Sequence, residues 1–191
     1  MPDELLVAVL AAGASRRLGR PKQLVALGGE PLVRRACRTA VGAAIGPVAV
    51  VLGCHREEIA RVVSDLPLTV LANDAWEEGL SSSVRTATRA ALERGVAGLL
   101  LLHADQYAVT AEDLVHLRNA WRASPGSASL SRDGEHLGPP AILPASLFAR
   151  MLKLAGDAGP RALLGGDTGV LEVAMPSASR DVDHPNDLTR I

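Results

Sequence analysis

Four apolar runs of strand length, at residues 5–11, 48–52, 68–72 and 98–102, carry no alternating polar positions. A strand with one face in water alternates apolar with polar residues, so unbroken runs predict strands covered on both faces inside an α/β sheet. Between them lie segments of helical periodicity at 32–44, 57–64, 82–94 and 112–123. The resulting order, βαβαβαβα, implies right-handed crossovers, a parallel sheet and a ligand site at the carboxyl ends of the strands. Thr110 with Asp113 predicts a capping box at the start of the fourth helix, and Gly95 predicts the stop of the third. The strand before that box then ends near Asp105. Beyond residue 124 the pattern changes: residues 127–131, a turn at Arg132, Asp133 and Gly134, and residues 138–143 predict a strand pair that makes the sheet mixed. Helical signals return at 145–154 and 161–164, followed by a short strand at 170–174.

Composition narrows the function classes. With 191 residues, 48% of them hydrophobic, the chain is expected to form one domain over residues 1–191 with a substantial core. The net charge of −1, without long runs of one sign, argues against a nucleic-acid-binding surface or a polybasic membrane patch. Cys37 and Cys54 form no CxxC pair and are read as small core residues. The N-terminal stretch carries acidic residues where a signal peptide has basic ones, and no apolar run reaches the ~20 residues of a membrane span. A cytoplasmic location is the expectation. Aromatic residues are confined to Trp76, Tyr107, Trp121 and Phe148, too few for the stacking platforms of single-strand binders.

Four loops carry chemistry. The first, LAAGASRRLGRPK at residues 10–22, leaves the first strand with Gly13 and Gly19 and with Arg16, Arg17 and Arg20. Glycines let backbone amides approach an anion, and the cations neutralise it, so the loop suits a polyphosphate. It is neither a Walker loop nor a dinucleotide fingerprint, and on charge and glycine content alone a basic surface connection fits as well. Lys22 tips the balance: only it and Lys153 among 20 basic residues are lysines, and a compact ammonium after the rigid Pro21 suits a point contact to phosphate. The second feature is Asp105, a single carboxylate delivered by an aliphatic strand to the sheet edge. It reads either as a solvated strand-end acid or as a magnesium ligand, since magnesium needs only one or two protein carboxylates beside substrate phosphates. The third, DVDHPNDL at residues 181–188, offers Asp183 as a helix cap, a metal ligand or both. The fourth, at residues 73–87, places Asn73, Gly79, Ser81, Ser82 and Ser83 before a helix, where ordinary capping by Ser81 or Ser82 competes with contacts to a base, sugar or phosphate.

In this order the four loops resemble the MobA/MocA-like nucleotidyltransferase family and, more distantly, the sugar-phosphate nucleotidyltransferases. LAAGASRRLGRPK is similar to the family's LAAGxSxRMGxPK, with Leu18 in the methionine place; HADQ (residues 103–106) resembles CDQP, and DHPNDL (residues 183–188) resembles DTPEDL. The resemblance implies a three-layer α/β/α Rossmann-like fold with a mostly parallel central sheet and one antiparallel strand pair. It also implies magnesium held by Asp105 and Asp183, catalytic roles for Lys22, Arg17 and Asp105, and a nucleotide site formed by Leu10, Ala11, Ala12, Gly13, Ser15, Arg16, Arg17, Lys22, Asn73, Gly79, Ser82 and Ser83. The implied reaction moves a nucleotide from an NTP to a phosphorylated acceptor, with molybdopterin expected and transient contact with a molybdenum enzyme. Ala12 in LAAG favours CTP over GTP, because a β-carbon there narrows the base pocket. Tyr107, His103 and His184 depart from the family pattern and leave the acceptor open. A sugar-phosphate nucleotidyltransferase is the alternative within enzymes, and a carrier that holds nucleotide or cofactor without turnover is the alternative outside them.

Overall fold

The computed structural model describes residues 5–15, 18–164 and 169–182. Its centre is β1 (Leu5–Leu10), whose six side chains are all buried. Successive strand side chains point to opposite faces, so Leu5, Val7 and Val9 enter one core cluster while Leu6, Ala8 and Leu10 enter another. Helices cover each face. The first cluster takes residues from α1 (Leu32–Gly42), α2 (Arg56–Val62) and α4 (Ala111–Ala123), including Cys37, Ile59, Leu114 and Trp121. The second takes Val84, Ala87 and Ala91 from α3 (Leu80–Arg94), and Phe148 and Met151 from the short α5 (Phe148–Met151). The three layers anticipated from the sequence are therefore present.

The remaining strands of the sheet are β4 (Val48–Leu52), β5 (Thr69–Ala72), β6 (Gly98–His103), β7 (Ala128–Asp133), β8 (His136–Pro144) and β9 (Val170–Ala174). The sheet runs β5-β4-β1-β6-β8-β7-β9. Only β8 runs against the rest, pairing antiparallel with both β6 and β7. From β1 the chain moves outward through α1 and α2 to β4 and β5, then returns by α3 on the opposite face to β6, on the other side of β1. β1 and β6 thus flank the point where strand order reverses, and ligands of open α/β sheets bind outside the strand ends at that point. Leu10 and His103 are their last paired residues.

Local signals read in the sequence act as expected at both helix ends. Thr110 Oγ1 accepts from the Asp113 amide at 3.2 Å while Asp113 Oδ2 accepts from the Thr110 amide at 3.0 Å, a reciprocal cap. Gly95 ends α3 in the left-handed region at φ 65°.

Four details differ from the sequence reading. β5 forms, but it is the edge strand and is not covered on both faces: Val70 stands 42% exposed, and Leu71 alone of its residues packs against the core. The turn of the β7–β8 hairpin falls at Gly134 and Glu135, because Asp133 still pairs with His136. The helical signal at 145–154 condenses into one turn of 3-10 helix and the four residues of α5. Finally, a separate antiparallel pair, β2 (Ala26–Leu27) and β3 (Glu30–Pro31), turns through Gly28 and Gly29, both at positive φ. Two-residue strands leave no periodicity for a sequence pattern to show.

Candidate functional site

The carboxyl ends of β1 and β6 open into a cavity of about 400 Å³. Its floor is the start of the first loop, Leu10 to Ser15, and the end of β6, where the Ala104 amide donates to the Leu10 carbonyl at 3.1 Å. That bond brings Asp105 beside the loop. Lys22 re-enters on a turn of 3-10 helix (Lys22–Leu24), and its Nζ pairs with Asp105 Oδ2 across 83 residues of chain. Asp105 is only 8% exposed, yet it lines the cavity. A carboxylate this buried requires a cation or hydrogen-bond donors, and Lys22 supplies one.

The facing wall comes from the segment between β5 and α3. Asn73, buried at the end of β5, donates through Nδ2 to Ser82 Oγ at 2.8 Å and Ser83 Oγ at 3.0 Å, and its Oδ1 accepts from the Ala75 amide at 3.2 Å. Ser83 and Gly79 line the cavity, whereas Asn73 and Ser82 sit behind it and shape the wall. No serine side chain caps α3. Gly79 occupies the cap position at φ 98°, and Ser82 Oγ donates back to its carbonyl at 2.8 Å. The first turn of α3 is anchored instead by Gly156, whose carbonyl accepts from the Ser81 amide at 3.0 Å. A β-carbon on Gly79 would fall 2.5 Å from Asp157 Oδ1 and 2.7 Å from the Gly156 carbonyl oxygen, so only glycine allows this approach. Trp76 completes the wall. It lies against Gly53, where a β-carbon would come within 2.5 Å of Trp76 Cβ.

Of the residues singled out from sequence, Leu10, Ala11, Ala12, Gly13, Ser15, Lys22, Gly79, Ser83 and Asp105 line one cavity. Arg16, Arg17, Asp183 and His184 lie outside the described residues. Three further residues shape the site without having been assigned a role from sequence: Trp76, Gln23 and Gln106, the last inside the HADQ motif. Nothing local in the sequence marks Trp76 as a cavity residue. Gln23 and Gln106 each follow one of the charged pair, and each is buried with its amide fully used. Gln23 ties the loop to itself. Gln106 Nε2 donates to the carbonyls of Pro139 at 2.7 Å and Ala178 at 2.8 Å, and its Oε1 accepts from the His103 amide at 3.1 Å, fixing the end of β6 that carries Asp105.

Cys37 is a core residue as the sequence suggests, whereas Cys54 is only half-buried and belongs to none of the core clusters. Burial pushes the Cys37 thiol up to about 12, which removes it from thiolate chemistry at neutral pH. Among the described residues no group of three or more His, Cys, Asp or Glu could hold a metal ion. Nor is any described helix long and apolar enough to cross a membrane.

A loop of small residues, a lysine and one carboxylate are gathered where a mostly parallel sheet reverses its strand order, the place where open α/β proteins bind their ligands. The chain belongs to the MobA-like NTP transferase domain family, whose profile matches residues 7–172. It is thus a nucleotidyltransferase by family, with an NTP and an acceptor as the implied substrates. Purine catabolism protein PucB of Bacillus subtilis is 28% identical over 96% of this chain and 93% of its own length. A probable molybdenum cofactor guanylyltransferase of Opitutus terrae is 32% identical over 66% of this chain and 60% of its own. The bifunctional protein GlmU of Xanthobacter autotrophicus is 33% identical over 66% of this chain, which spans 29% of that longer protein. Among solved structures, a homologue from Mycobacterium sp. strain JC1 of the Mycobacterium tuberculosis protein Rv0371c superposes with a TM-score of 0.85 at 27% identity, covering 100% of this chain and 96% of its own. The manganese complex of Rv0371c itself superposes at 0.79 with 24% identity, covering 98% and 97%.

Proposed function

We propose that this protein is a magnesium-dependent cytidylyltransferase that moves CMP from CTP to a phosphorylated acceptor, molybdopterin, and releases pyrophosphate. The observation that carries the reading is the Lys22–Asp105 pair beneath the small-residue loop, in one cavity at the switch point of the sheet. A relative named as a molybdenum cofactor guanylyltransferase supports the acceptor. Ala12 supports the base: it lines the cavity, and its β-carbon takes room that glycine would leave for a purine.

The donor set fits magnesium. Asp105 presents hard carboxylate oxygen to a cavity that accommodates phosphates, and magnesium takes one or two protein carboxylates, completing its shell with water and phosphate oxygens. Asp105 would hold it, with Asp183 as second ligand. When bound, the ion neutralises phosphate charge and aligns the reacting groups. The chain's own groups do the remaining work. An acceptor phosphate oxygen forms a bond to the α-phosphorus as the bond from that phosphorus to the bridging oxygen of pyrophosphate breaks. The phosphate dianion is already nucleophilic at neutral pH, so no general base is required. Loop amides and Lys22 stabilise charge on the triphosphate, with Arg17 assigned to the leaving pyrophosphate. Ser83 and Gly79 hold the nucleoside side of the cavity.

The test is a matrix of CTP, GTP, ATP and UTP against molybdopterin and a panel of sugar phosphates, with pyrophosphate measured with and without magnesium. CTP with molybdopterin should give the fastest release. Faster release from GTP would overturn the base assignment, and turnover only with a sugar phosphate would overturn the acceptor.

A further inference from the structure

Gln23 is 3% exposed, and its side-chain amide is committed entirely to the first loop. Its Nε2 donates to the Ala11 carbonyl at 3.1 Å and the Gly13 carbonyl at 2.6 Å. Its Oε1 accepts from Ser15 Oγ at 3.2 Å, and Ser15 Oγ accepts in turn from the Lys22 amide at 3.0 Å. The carbonyl between them, that of Ala12, accepts from the Cys54 amide at 3.0 Å. Three successive carbonyls of the loop are thus drawn into the protein. In a trans peptide the C=O of one residue and the N–H of the next point in opposite directions. The amides of Ala12 and Ala14 are therefore turned away from Gln23, and that of Gly13 away from Cys54. Among the described residues none of the three donates to a backbone carbonyl, and all three residues line the cavity.

We infer that Gln23 is a positioning residue that presets the amides of Ala12, Gly13 and Ala14 as an anion cradle for the triphosphate and the departing pyrophosphate. The inference rests on the reading of this loop as the triphosphate site. Its physical content is preorganisation: donors already oriented toward the charge need no rearrangement when the ligand arrives. Glutamine alone among residues of its size serves here. Two donations and one acceptance are needed from one planar group, and a glutamate would set a carboxylate against two carbonyl oxygens. The same amide fixes Lys22, through Ser15, at the far end of the loop.

The experiment compares wild type with Gln23→Met, which keeps the volume without the hydrogen bonds, and with Gln23→Glu. Binding of inorganic pyrophosphate and of CTP is measured by titration calorimetry, folding by circular dichroism, and KM by steady-state turnover. Gln23→Met should weaken pyrophosphate binding by about tenfold or more, judged from the cost of losing oriented donors. KM for CTP should rise in step, while KM for the acceptor stays unchanged. Gln23→Glu should bind more weakly still at alkaline pH and recover toward Gln23→Met as the pH falls and its carboxyl gains a donor. A residue that only supported the fold would lower the folded fraction and apparent kcat, leaving the dissociation constant of folded molecules unchanged. Folded variants that bind pyrophosphate as wild type does would overturn the inference. A wild type that binds neither pyrophosphate nor CTP would instead overturn the triphosphate reading of the loop, and the cradle with it. Hydrogen exchange on the wild type needs no variant: pyrophosphate should slow exchange at Ala12, Gly13 and Ala14, and unchanged exchange there would also overturn the inference.

Discussion

Gly53 follows β4 and has no side chain where one would collide with two walls of the cavity at once. A β-carbon built there meets Trp76 Cβ at 2.5 Å, Trp76 Cγ at 2.7 Å and the Ala12 carbonyl oxygen at 2.9 Å. None of these atoms is the far end of a flexible side chain. Trp76 Cβ is fixed by its backbone, and the Ala12 carbonyl already accepts from the Cys54 amide at 3.0 Å. Gly53→Ala must therefore displace backbone, and the upper part of the usual overpacking range, about 2–3 kcal/mol, is expected. For a chain of this size that corresponds to a fall in melting temperature of roughly 4–12 °C. The control is Gly126→Ala: no atom lies within 4 Å of its built β-carbon and its φ is not positive, so that variant should melt within about 1 °C of wild type or slightly above it. Calorimetric melts of both variants measure the difference, and CTP titration of Gly53→Ala should show weakened binding because Trp76 and Ala12 both line the cavity. If Gly53→Ala melts with Gly126→Ala and binds CTP normally, the packing of Trp76 on Gly53 and its role in shaping the cavity are wrong.

Trp121 is 1% exposed in the core, while Trp76 faces the cavity, so CTP should change the fluorescence of Trp76 alone. A response that survives Trp76→Phe undiminished would remove Trp76 from the site. Lys22→Met takes away a cation and leaves Asp105 without its ammonium partner, and turnover should fall on the order of a hundredfold; magnesium-dependent turnover at the wild-type rate would refute its role. On the surface, Arg34 holds Asp65 in a bidentate pair at 2.6 and 2.8 Å, and that hydrogen bonding lowers the Asp65 carboxyl to about 2 from an ordinary 3.8. A carboxyl depressed on folding stabilises above its unfolded value and loses that contribution as pH falls through its folded value. Wild type should therefore exceed Asp65→Asn slightly in denaturation midpoint above about pH 4, and the margin should vanish toward pH 2; an equal margin at both ends would contradict the pairing.

The fold was largely legible because its central strands are buried on both faces. β1, β4 and β6 read as unbroken aliphatic runs, and Thr110, Asp113 and Gly95 marked helix ends by chemistry that acts over three or four residues. β5 is legible as a strand but its exposure is not, since position in the sheet order, and not local pattern, decides that Val70 meets water. The site was legible where charge or glycine stood out, as at Lys22, Gly79 and Asp105. Gln23, Gln106 and Trp76 were not, because their importance arises from long-range geometry. Gln23 Nε2 reaches carbonyls 10 and 12 residues away, Gln106 Nε2 reaches 33 and 72, and Trp76 depends on the bare backbone of Gly53. Asn73 sits between the two cases: its place before α3 was visible, but its hydrogen bonds to Ser82 and Ser83 hold the wall and do not face the cavity.

Nucleotidyl transfer itself is most directly tested by following CTP, magnesium and molybdopterin with phosphorus-31 NMR. Wild type should form a new pyrophosphate-bridged product in equal amount with free pyrophosphate, and Asp105→Ala should form neither at a detectable rate. CTP that binds and remains intact with molybdopterin and with every other phosphorylated acceptor would contradict the account and leave the behaviour of a carrier.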